Sequence, residues 1–221
     1  MNYIGSVFNS VAQIIAHHLP LACVFENVPA FANSLACRSL VEHLKRIGYH
    51  ITESILDPWG EWNEPQDRKR WIMIATLKPG FEIISPETPF NGCAGEYLDI
   101  PDESEQLEID RIARSIESLR RHNERHAKLG HGFGFTTINY QSKRVPTIVR
   151  SYHKINTGPF VESRYGGLRL LHKSEIERLM GCTIDCDHYA TAIEILGQGV
   201  QTRVFRQILC QLGQFLKKTK F

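Results

Sequence analysis

A single carboxylate stands at the end of a short apolar run near the start of the chain. Residues 21–25 read LACVF, and Glu26, Asn27 and Val28 follow before Pro29 ends the segment. An apolar run of this length, bounded by a turn, predicts a buried strand. Glu26 would then lie at the carboxyl end of that strand, which is where open α/β sheets bind their ligands. A solvated glutamate at an ordinary strand end is the alternative that this segment alone leaves open.

Two arginines stand two residues apart at the entry to a second apolar run. Residues 65–70 read PQDRKR, and residues 71–75 are apolar. Arg68 and Arg70 would project to the same side if the strand has already begun at Arg68. A guanidinium fork suits a phosphate, the carbonyl oxygen of a base, or a carboxylate such as Glu26. The alternative is a solvated basic loop at the edge of a strand.

A polar and partly basic cluster follows a β-like segment further along the chain. Its members are Thr147, Arg150, Ser151, Tyr152, His153 and Lys154. Such side chains can reach base edges in the major groove or hold phosphates. A solvated loop that carries a few charges would have the same composition.

One group of metal-binding residue types also occurs. Cys182, Cys186 and His188 are close enough in sequence to suggest zinc. A fourth ligand is not evident, and short motifs of this kind often match by chance. We therefore expect no metal site here.

Taken in order, these segments resemble the DNA cytosine-5 methyltransferases. Residues 26–28 (ENV) and 66–70 (QDRKR) are similar to two successive motifs of that catalytic domain. Residues 131–154 resemble the target-recognition region of the bacterial members, and residues 169–181 (RLLHKSEIERLMG) resemble the arginine-led helix motif that follows it. Residues 197–200 (GQGV) stand where the family usually has Gly-Asn-Ser-Val. The similarity covers nearly the whole chain.

The resemblance implies a reaction and a role for several residues. The family transfers a methyl group from S-adenosylmethionine to C5 of a cytosine that is extruded from duplex DNA. Glu26 would hold the N3 and amino edge of the base as charge develops on the ring. Arg70 would contact the O2 side of the ring, and Arg68 would support the catalytic loop or a phosphate. Gln198 and Gly199 would border the methionine end of the cofactor.

The remaining implied roles concern DNA contact and a turn. The cluster from Thr147 to Lys154 would contact duplex DNA. Asn27 would stabilise the turn after the strand and would not touch the substrate.

Two parts of the family pattern do not occur in this sequence. The family's nucleophile lies in a Pro-Cys-Gln loop, and none of the six cysteines has that context. Cys23 lies within the strand that leads to Glu26 and is expected to be a buried thiol. The glycine-rich loop that holds S-adenosylmethionine does not occur either. We therefore expect the C-terminal portion of such an enzyme, inactive by itself, whose nucleophile comes from a partner chain or an N-terminal segment.

Two other functions remain open. One is a non-catalytic DNA-binding remnant that uses only the recognition region. The other is methylation of transfer RNA, because a related branch of the family acts on cytosine in that molecule.

The elements that position these residues follow an α/β pattern. Residues 3–18 predict a helix, and a second helix would be capped by Asn33 or Ser34. Gly48 suits a left-handed position after that helix. Strands are predicted at residues 49–56 and 71–75.

The second half of the chain is expected to be less regular. Residues 80–101 are rich in proline and read as a loop, whereas residues 102–129 show helical spacing. A β-like region follows to about Arg150. Helices are predicted near residues 174–180 and 200–217.

These elements define the predicted fold and its domains. We expect a partial Rossmann-like α/β methyltransferase domain with an inserted, mainly β or irregular target-recognition region. Residues 1–79 would form the C-terminal half of the catalytic domain, residues 80–168 the recognition region, and residues 169–221 the return to the catalytic domain.

Composition sets only broad limits. The chain is 42% hydrophobic and 23% charged, with a net charge of +2, so a basic DNA-binding surface must come from local clustering. Six scattered cysteines suit reduced thiols in the cytoplasm. No secretory leader and no bilayer-spanning run is apparent in the sequence.

Overall fold

The computed structural model describes residues 3–102, 105–128, 130 and 135–218. The α-helices are α1 (Tyr3–His18), α2 (Leu35–Arg46), α3 (Pro58–Glu61), α4 (Glu105–Ala127), α5 (Lys173–Met180), α6 (Tyr189–Gln198) and α7 (Thr202–Lys218). The strands are β1 (Ala22–Asn27), β2 (His50–Leu56), β3 (Gln66–Asp67), β4 (Arg70–Thr76), β5 (Thr137–Ile138), β6 (Val145–Pro146), β7 (Phe160–Glu162) and β8 (Leu168–Arg169). Within the described residues, none of the helices has the length and apolar character needed to cross a bilayer.

Contacts divide the chain into two compact units. The first unit combines the described residues of 1–57, 69–86 and 205–221, and the second combines those of 58–68 and 87–204. The sequence motifs suggested boundaries after residues 79 and 168. In the structure, residues 169–204 instead share contacts with residues 87–168.

The first unit is built on a three-stranded sheet in the order β1-β4-β2. The central strand β4 runs antiparallel to both neighbours. Its residues from Trp71 to Thr76 are all buried, as expected for a strand that is covered on both faces. In the described residues, β1 pairs with β4 alone, so β1 is an edge strand of this sheet.

Helix α2 covers one face of that sheet. Its buried residues Cys37, Leu40 and Leu44 recur at helical spacing and pack in one cluster with Trp71 and Met73. Ser34 caps the helix by accepting a hydrogen bond from the backbone N–H of Cys37 at 3.0 Å, one of the two predicted caps. Gly48 follows at φ +96°, which confirms its predicted left-handed conformation.

The second unit packs helices against short strands. Strand β7 lies between β5 and β8, and β3 pairs in parallel with β6. Its core combines residues of α4, α5 and α6 with those of the strands; the fully buried members include Ile148, Tyr152, Phe160, Leu171, Ile176 and Ile193.

The predicted α/β fold is confirmed, and several elements differ in detail. The helical spacing of residues 102–129 corresponds to α4, and the predicted helix at 200–217 corresponds to α7. Helix α6 was not predicted. The β-like region up to Arg150 contains only β5 and β6, each of two residues, and residues 131–134 lie outside the described part of the chain.

Candidate active site

Glu26 and Arg70 form an ion pair at one end of the first unit's sheet. The Glu26 Oε1 atom lies 2.9 Å from Nε of Arg70. The side chains are 29% and 15% exposed, respectively, so the pair is half-buried but open to solvent. The structure therefore brings these two predicted site residues together.

The strand register explains why these side chains meet. Glu26 is the fifth residue of β1 and lies opposite Ile72 of β4. Arg70 is two residues before Ile72 and therefore projects from the same face of the sheet, diagonal to Glu26. The chain turns away directly afterwards, because Val28 and Pro29 lead into a 3-10 turn over Pro29–Asn33. The carboxylate thus lies at the carboxyl end of its strand, as predicted.

Asn27 stabilises this turn. Its Oδ1 atom accepts a hydrogen bond from the backbone N–H of Val28 at 2.9 Å. This contact agrees with the structural role that the sequence suggested for the residue.

The environment of Arg70 is partly desolvated. Burial lowers the pKa of the Arg70 guanidinium, and the nearby Glu26 carboxylate opposes this shift. Arginine still remains charged at any physiological pH. Its Nη1 donates to the backbone carbonyl of Lys69 at 2.8 Å, which fixes the orientation of the fork. An oriented cation beside a carboxylate can bind a planar heterocycle that presents both an acceptor and donors.

Arg68 belongs to the second unit and is buried. Strand β4 begins at Arg70, so the strand alternation that would align the two arginines does not reach Arg68. The Arg68 guanidinium is fully covered and donates to backbone carbonyls of Ile148 at 2.9 Å, Gly197 at 2.8 Å and Gly199 at 2.6 Å. The Arg68 donors therefore hold the protein's own backbone, which corrects the expected contact with a phosphate. Its expected support of a catalytic loop stays a prediction.

The segment Gly197–Gly199 ends helix α6 and receives those bonds. A Cβ atom at Gly197 would lie 2.6 Å from the Arg150 backbone, so this close approach requires glycine. The exposed side chain of Gln198 donates to the Glu194 carbonyl at 3.0 Å. Of the two predicted cofactor residues, Gln198 offers an exposed side chain, and Gly199 offers a carbonyl that Arg68 already occupies.

The predicted DNA-contacting residues fall into exposed and covered groups. Arg150 and Lys154 are exposed, whereas Ser151 and His153 are half-buried. The half-buried Thr147 donates its hydroxyl hydrogen bond to the backbone carbonyl of Asp67. Arg150 and Lys154 are therefore the most accessible side chains of the cluster.

Tyr152 is fully buried, which corrects its prediction as a DNA contact. Its hydroxyl donates to the Pro159 carbonyl at 2.7 Å and accepts from the Leu171 backbone N–H at 2.8 Å. Burial raises the pKa of the phenol well above its ordinary value. The ring therefore supports the core beneath the cluster.

A buried ion network that the sequence did not reveal supports the second unit. Arg169 is fully buried, pairs with Glu105 of α4, and binds Glu175 of α5 through two hydrogen bonds of 2.8 Å. Glu175 also accepts from the backbone N–H of His172 at 2.7 Å, closing the N-terminus of α5. Spacing alone could have identified Glu175, which stands three residues after the cap, but not the distant Glu105.

A nearby trio contains metal-ligand types. Donor atoms of Asp99, His172 and Glu175 lie within 4.8 Å of one another. Glu175 is already held by the Arg169 guanidinium, whose positive charge opposes a cation at that position. The arrangement is accounted for by ion pairs and hydrogen bonds.

Two cysteines of the first unit, Cys23 and Cys37, are poor nucleophiles. Burial raises the pKa of Cys23, and burial together with the Glu53 carboxylate raises that of Cys37. A thiol with a raised pKa is largely protonated at neutral pH and reacts slowly.

The fold agrees with a defined enzyme family. The sequence model of the family described as C-5 cytosine-specific DNA methylase matches residues 3–213 of this chain. The chain belongs to this family. This confirms the resemblance found in the sequence.

Individual relatives and one solved structure extend this result. The type II methyltransferase M.MspI of Moraxella sp is 28% identical over 184 residues, which cover 80% of this chain and 41% of the relative. A tRNA (cytosine(38)-C(5))-methyltransferase of Schizosaccharomyces pombe is 30% identical over 110 residues, covering 48% of this chain and 33% of the relative. The structure of S. pombe Dnmt2 methyltransferase is similar in fold, with a TM-score of 0.71 and 20% identity over 93% of this chain and 70% of that one. The chain spans less than half of the length of either curated relative.

Proposed function

We propose that this chain supplies the base-holding and DNA-recognition parts of a DNA cytosine-5 methyltransferase. The substrate is a cytosine that has been swung out of duplex DNA, and the product carries a methyl group on C5. The observation that carries this proposal is the Glu26–Arg70 pair at the end of β1, 2.9 Å apart and open to solvent.

The two side chains have complementary tasks toward the base. Glu26 binds the N3 and amino edge of the base: one carboxyl oxygen accepts a hydrogen bond from the amino group, and the other shares with N3 a proton taken up from solvent, which offsets the negative charge that attack at C6 places on the ring. The Arg70 guanidinium donates to O2 of the base and holds Glu26 in position. Because both groups are partly withdrawn from water, their interaction with a bound base is stronger than on an open surface.

The attacking thiolate comes from outside the 221 residues of this sequence. No cysteine here lies in a Pro-Cys-Gln sequence, and the two cysteines of the first unit with raised pKa values are unsuited to the task. We propose that a partner chain or an additional N-terminal segment supplies it. In the described residues β1 lies at the edge of its sheet, and a sheet edge readily accepts another strand.

S-adenosylmethionine supplies the methyl group when it is bound. The exposed amide of Gln198 at the end of α6 suits one border of its site. The Gly199 carbonyl, held by Arg68, keeps that border in place. Most of the cofactor site therefore belongs to the segment that carries the nucleophile.

The test combines this chain with a segment that carries the Pro-Cys-Gln loop and the glycine-rich strand–turn. We expect transfer of labelled methyl groups from S-adenosylmethionine to duplex DNA by the mixture and not by this chain alone. Glu26→Gln in the same mixture should lower the rate by about 100-fold or more, because glutamine cannot share an acidic proton with N3 of the activated ring.

The matched control is Glu42→Gln, which neutralises an exposed carboxylate on α2. It should retain the rate of the unsubstituted mixture. Equal rates for the Glu26→Gln and unsubstituted mixtures would contradict the proposal, and so would no transfer from a folded mixture.

Transfer RNA is the second candidate substrate. The S. pombe relative named as a tRNA methyltransferase is 30% identical over 110 residues, which favours testing it. Competition between duplex DNA and transfer RNA in the same methyl-transfer assay distinguishes the two. A non-catalytic DNA-binding remnant would instead bind duplex DNA equally well after Glu26→Ala and transfer no methyl group in any mixture.

A further inference from the structure

The outward face of α4 carries a row of cations that the proposed mechanism does not use. We call these residues the α4 stripe: Arg111, Arg114, Arg121 and Arg125 of α4, and Lys128, which directly follows the helix. All five are exposed. At 1.5 Å per residue the helical part of the stripe, from Arg111 to Arg125, extends about 21 Å.

Helical geometry places the stripe opposite the core. Ile109, Ile112 and Ile116 are the buried apolar side of α4. At about 100° per residue, Arg114, Arg121 and Arg125 lie within about 35° of the direction opposite to those isoleucines. These arginines therefore point directly away from the second unit's core.

Carboxylates border the stripe on one side. The carboxylates of Asp110, Glu117 and Glu124 recur every seven residues and lie on one flank of the stripe. Each could pair with the cation four residues later, but in the described residues only Glu117 does so, at 3.3 Å from Arg121. Both ends of that pair are more than half exposed, so water and salt screen it.

The helix dipole does not account for the arrangement. The dipole stabilises cations in the last turn of a helix. Of the arginines of the stripe, only Arg125 lies in that turn. Arg111 and Arg114 lie in the N-terminal half of α4, where the dipole gives them no advantage. Folding of the unit likewise uses other residues of α4, since Glu105 binds Arg169 and Arg120 lies over the Phe135 ring at 5.6 Å.

We propose that the α4 stripe binds the phosphate backbone of duplex DNA, in addition to the contacts made by residues 147–154. This inference rests on the proposed function, which makes duplex DNA the partner. Four of the five cations are arginines, whose planar forks match phosphate oxygens. A row of this length can meet several phosphates at once without reading sequence.

The test is the salt dependence of binding to a duplex of arbitrary sequence, measured with the full chain. Arg114→Gln/Arg121→Gln/Arg125→Gln should reduce the slope of log K against log salt by about 2 to 3, since each phosphate contact contributes about 0.9. The single variant Arg114→Gln should reduce it by about 1, and it provides a milder change if the triple variant folds poorly.

The matched control removes the same number of charges from another helix. Arg38→Gln/Lys45→Gln/Arg46→Gln changes three exposed cations of α2 and should keep the original slope. Equal slopes for the stripe variant and the unsubstituted chain would overturn the inference. It would also be overturned by equal reductions in both triple variants, or by an effect on transfer RNA but not on duplex DNA.

The methyl-transfer assay separates this inference from the proposed function. An unchanged salt slope in the stripe variant, together with methyl transfer by the mixture, would reject only the inference that the α4 stripe binds DNA. A reduced slope without any methyl transfer would reject only the proposed enzyme activity.

Discussion

At the scale of single residues, the two arginines of the 66–70 segment illustrate how similar side chains acquire different tasks. Arg70 begins β4 and meets Glu26 at 2.9 Å, whereas Arg68 precedes the strand and is buried in the second unit. A buried guanidinium is stable only if its donors are satisfied, and three backbone carbonyls satisfy those of Arg68. The partly exposed Arg70 can therefore contact a ligand, whereas the buried Arg68 has a structural role.

Arg68→Met should destabilise the protein by about 3 kcal/mol, because it leaves buried carbonyls without their donor. Arg68→Lys should lose less stability than Arg68→Met, because lysine keeps a charged donor. It should still be less stable than the unsubstituted chain, because lysine cannot reproduce the guanidinium fork. Urea unfolding measures both changes.

The neighbouring variant Lys69→Met is the control for Arg68. Lys69 is half exposed and pairs with Asp57 at 2.7 Å, so its loss should change stability by less than about 1 kcal/mol. If Arg68→Met were no more destabilising than Lys69→Met, the structural role of Arg68 would be refuted.

At the scale of elements, hydrogen-bonded side chains join helices α4 and α5. His172 precedes α5, and its ring contacts Glu108 of α4 at 3.3 Å and Asp99 at 2.9 Å. Arg178 and Ser174 of α5 also bind Asp99, and Arg169 binds Glu175. Burial alone would raise the pKa of Asp99, but the hydrogen bonds from His172, Arg178 and Ser174 lower it overall.

The charge of His172 should make stability depend on pH. Glu108, and to a lesser degree Asp99, raise its pKa from 6.5 to about 9, although burial opposes the shift. A raised pKa means that the stabilisation is complete below about pH 6.5 and is lost as pH rises through about 9. His172→Gln should therefore lower stability by about 1 kcal/mol at pH 6, after allowance for solvent screening, and by little at pH 10.

Urea unfolding between pH 6 and pH 10 measures this difference. His50→Gln removes an exposed histidine of β2 and serves as the control for losing one imidazole. A stability difference between His172→Gln and the unsubstituted chain that stayed constant over the whole range would refute the assignment.

The end of α6 provides a second prediction at this scale. Helix propensity alone predicts that Gly197→Ala stabilises the helix by up to about 1 kcal/mol. The new methyl group would, however, lie 2.6 Å from backbone atoms of Arg150, so we expect destabilisation by about 1 to 3 kcal/mol.

Gly213→Ala is the matched control for Gly197→Ala. Gly213 lies inside α7, and a Cβ atom at this position would have no neighbouring side chain or distant backbone atom within 4 Å among the described residues. This substitution should leave stability unchanged or raise it by up to about 1 kcal/mol. Thermal unfolding of both variants measures the two changes in stability. A change of the same sign in both variants would contradict the close approach at Gly197.

At the scale of the whole molecule, the order of motifs along the chain and its division into compact units differ. The motifs suggested that residues 169–221 return to the catalytic domain. The contacts assign residues 169–204 to the second unit, where Arg169 binds both Glu105 and Glu175 and α6 receives the Arg68 hydrogen bonds. Sequence order records which segments are adjacent in the chain, whereas contacts between distant segments define the units.

The sequence by itself determined the family, the α/β class, the strand that carries Glu26 near its end, and helices α1, α2, α4, α5 and α7. These features depend on local patterns, namely apolar periodicity, capping residues and short motifs, which are readable without knowledge of distant contacts. Only the tertiary structure decided that Arg70 meets Glu26 while Arg68 is buried, that Tyr152 lies in the core, and that Arg169 joins Glu105. Each of those outcomes depends on strand register or on desolvation by residues far away in the chain, and neither is encoded in the spacing of neighbouring residues.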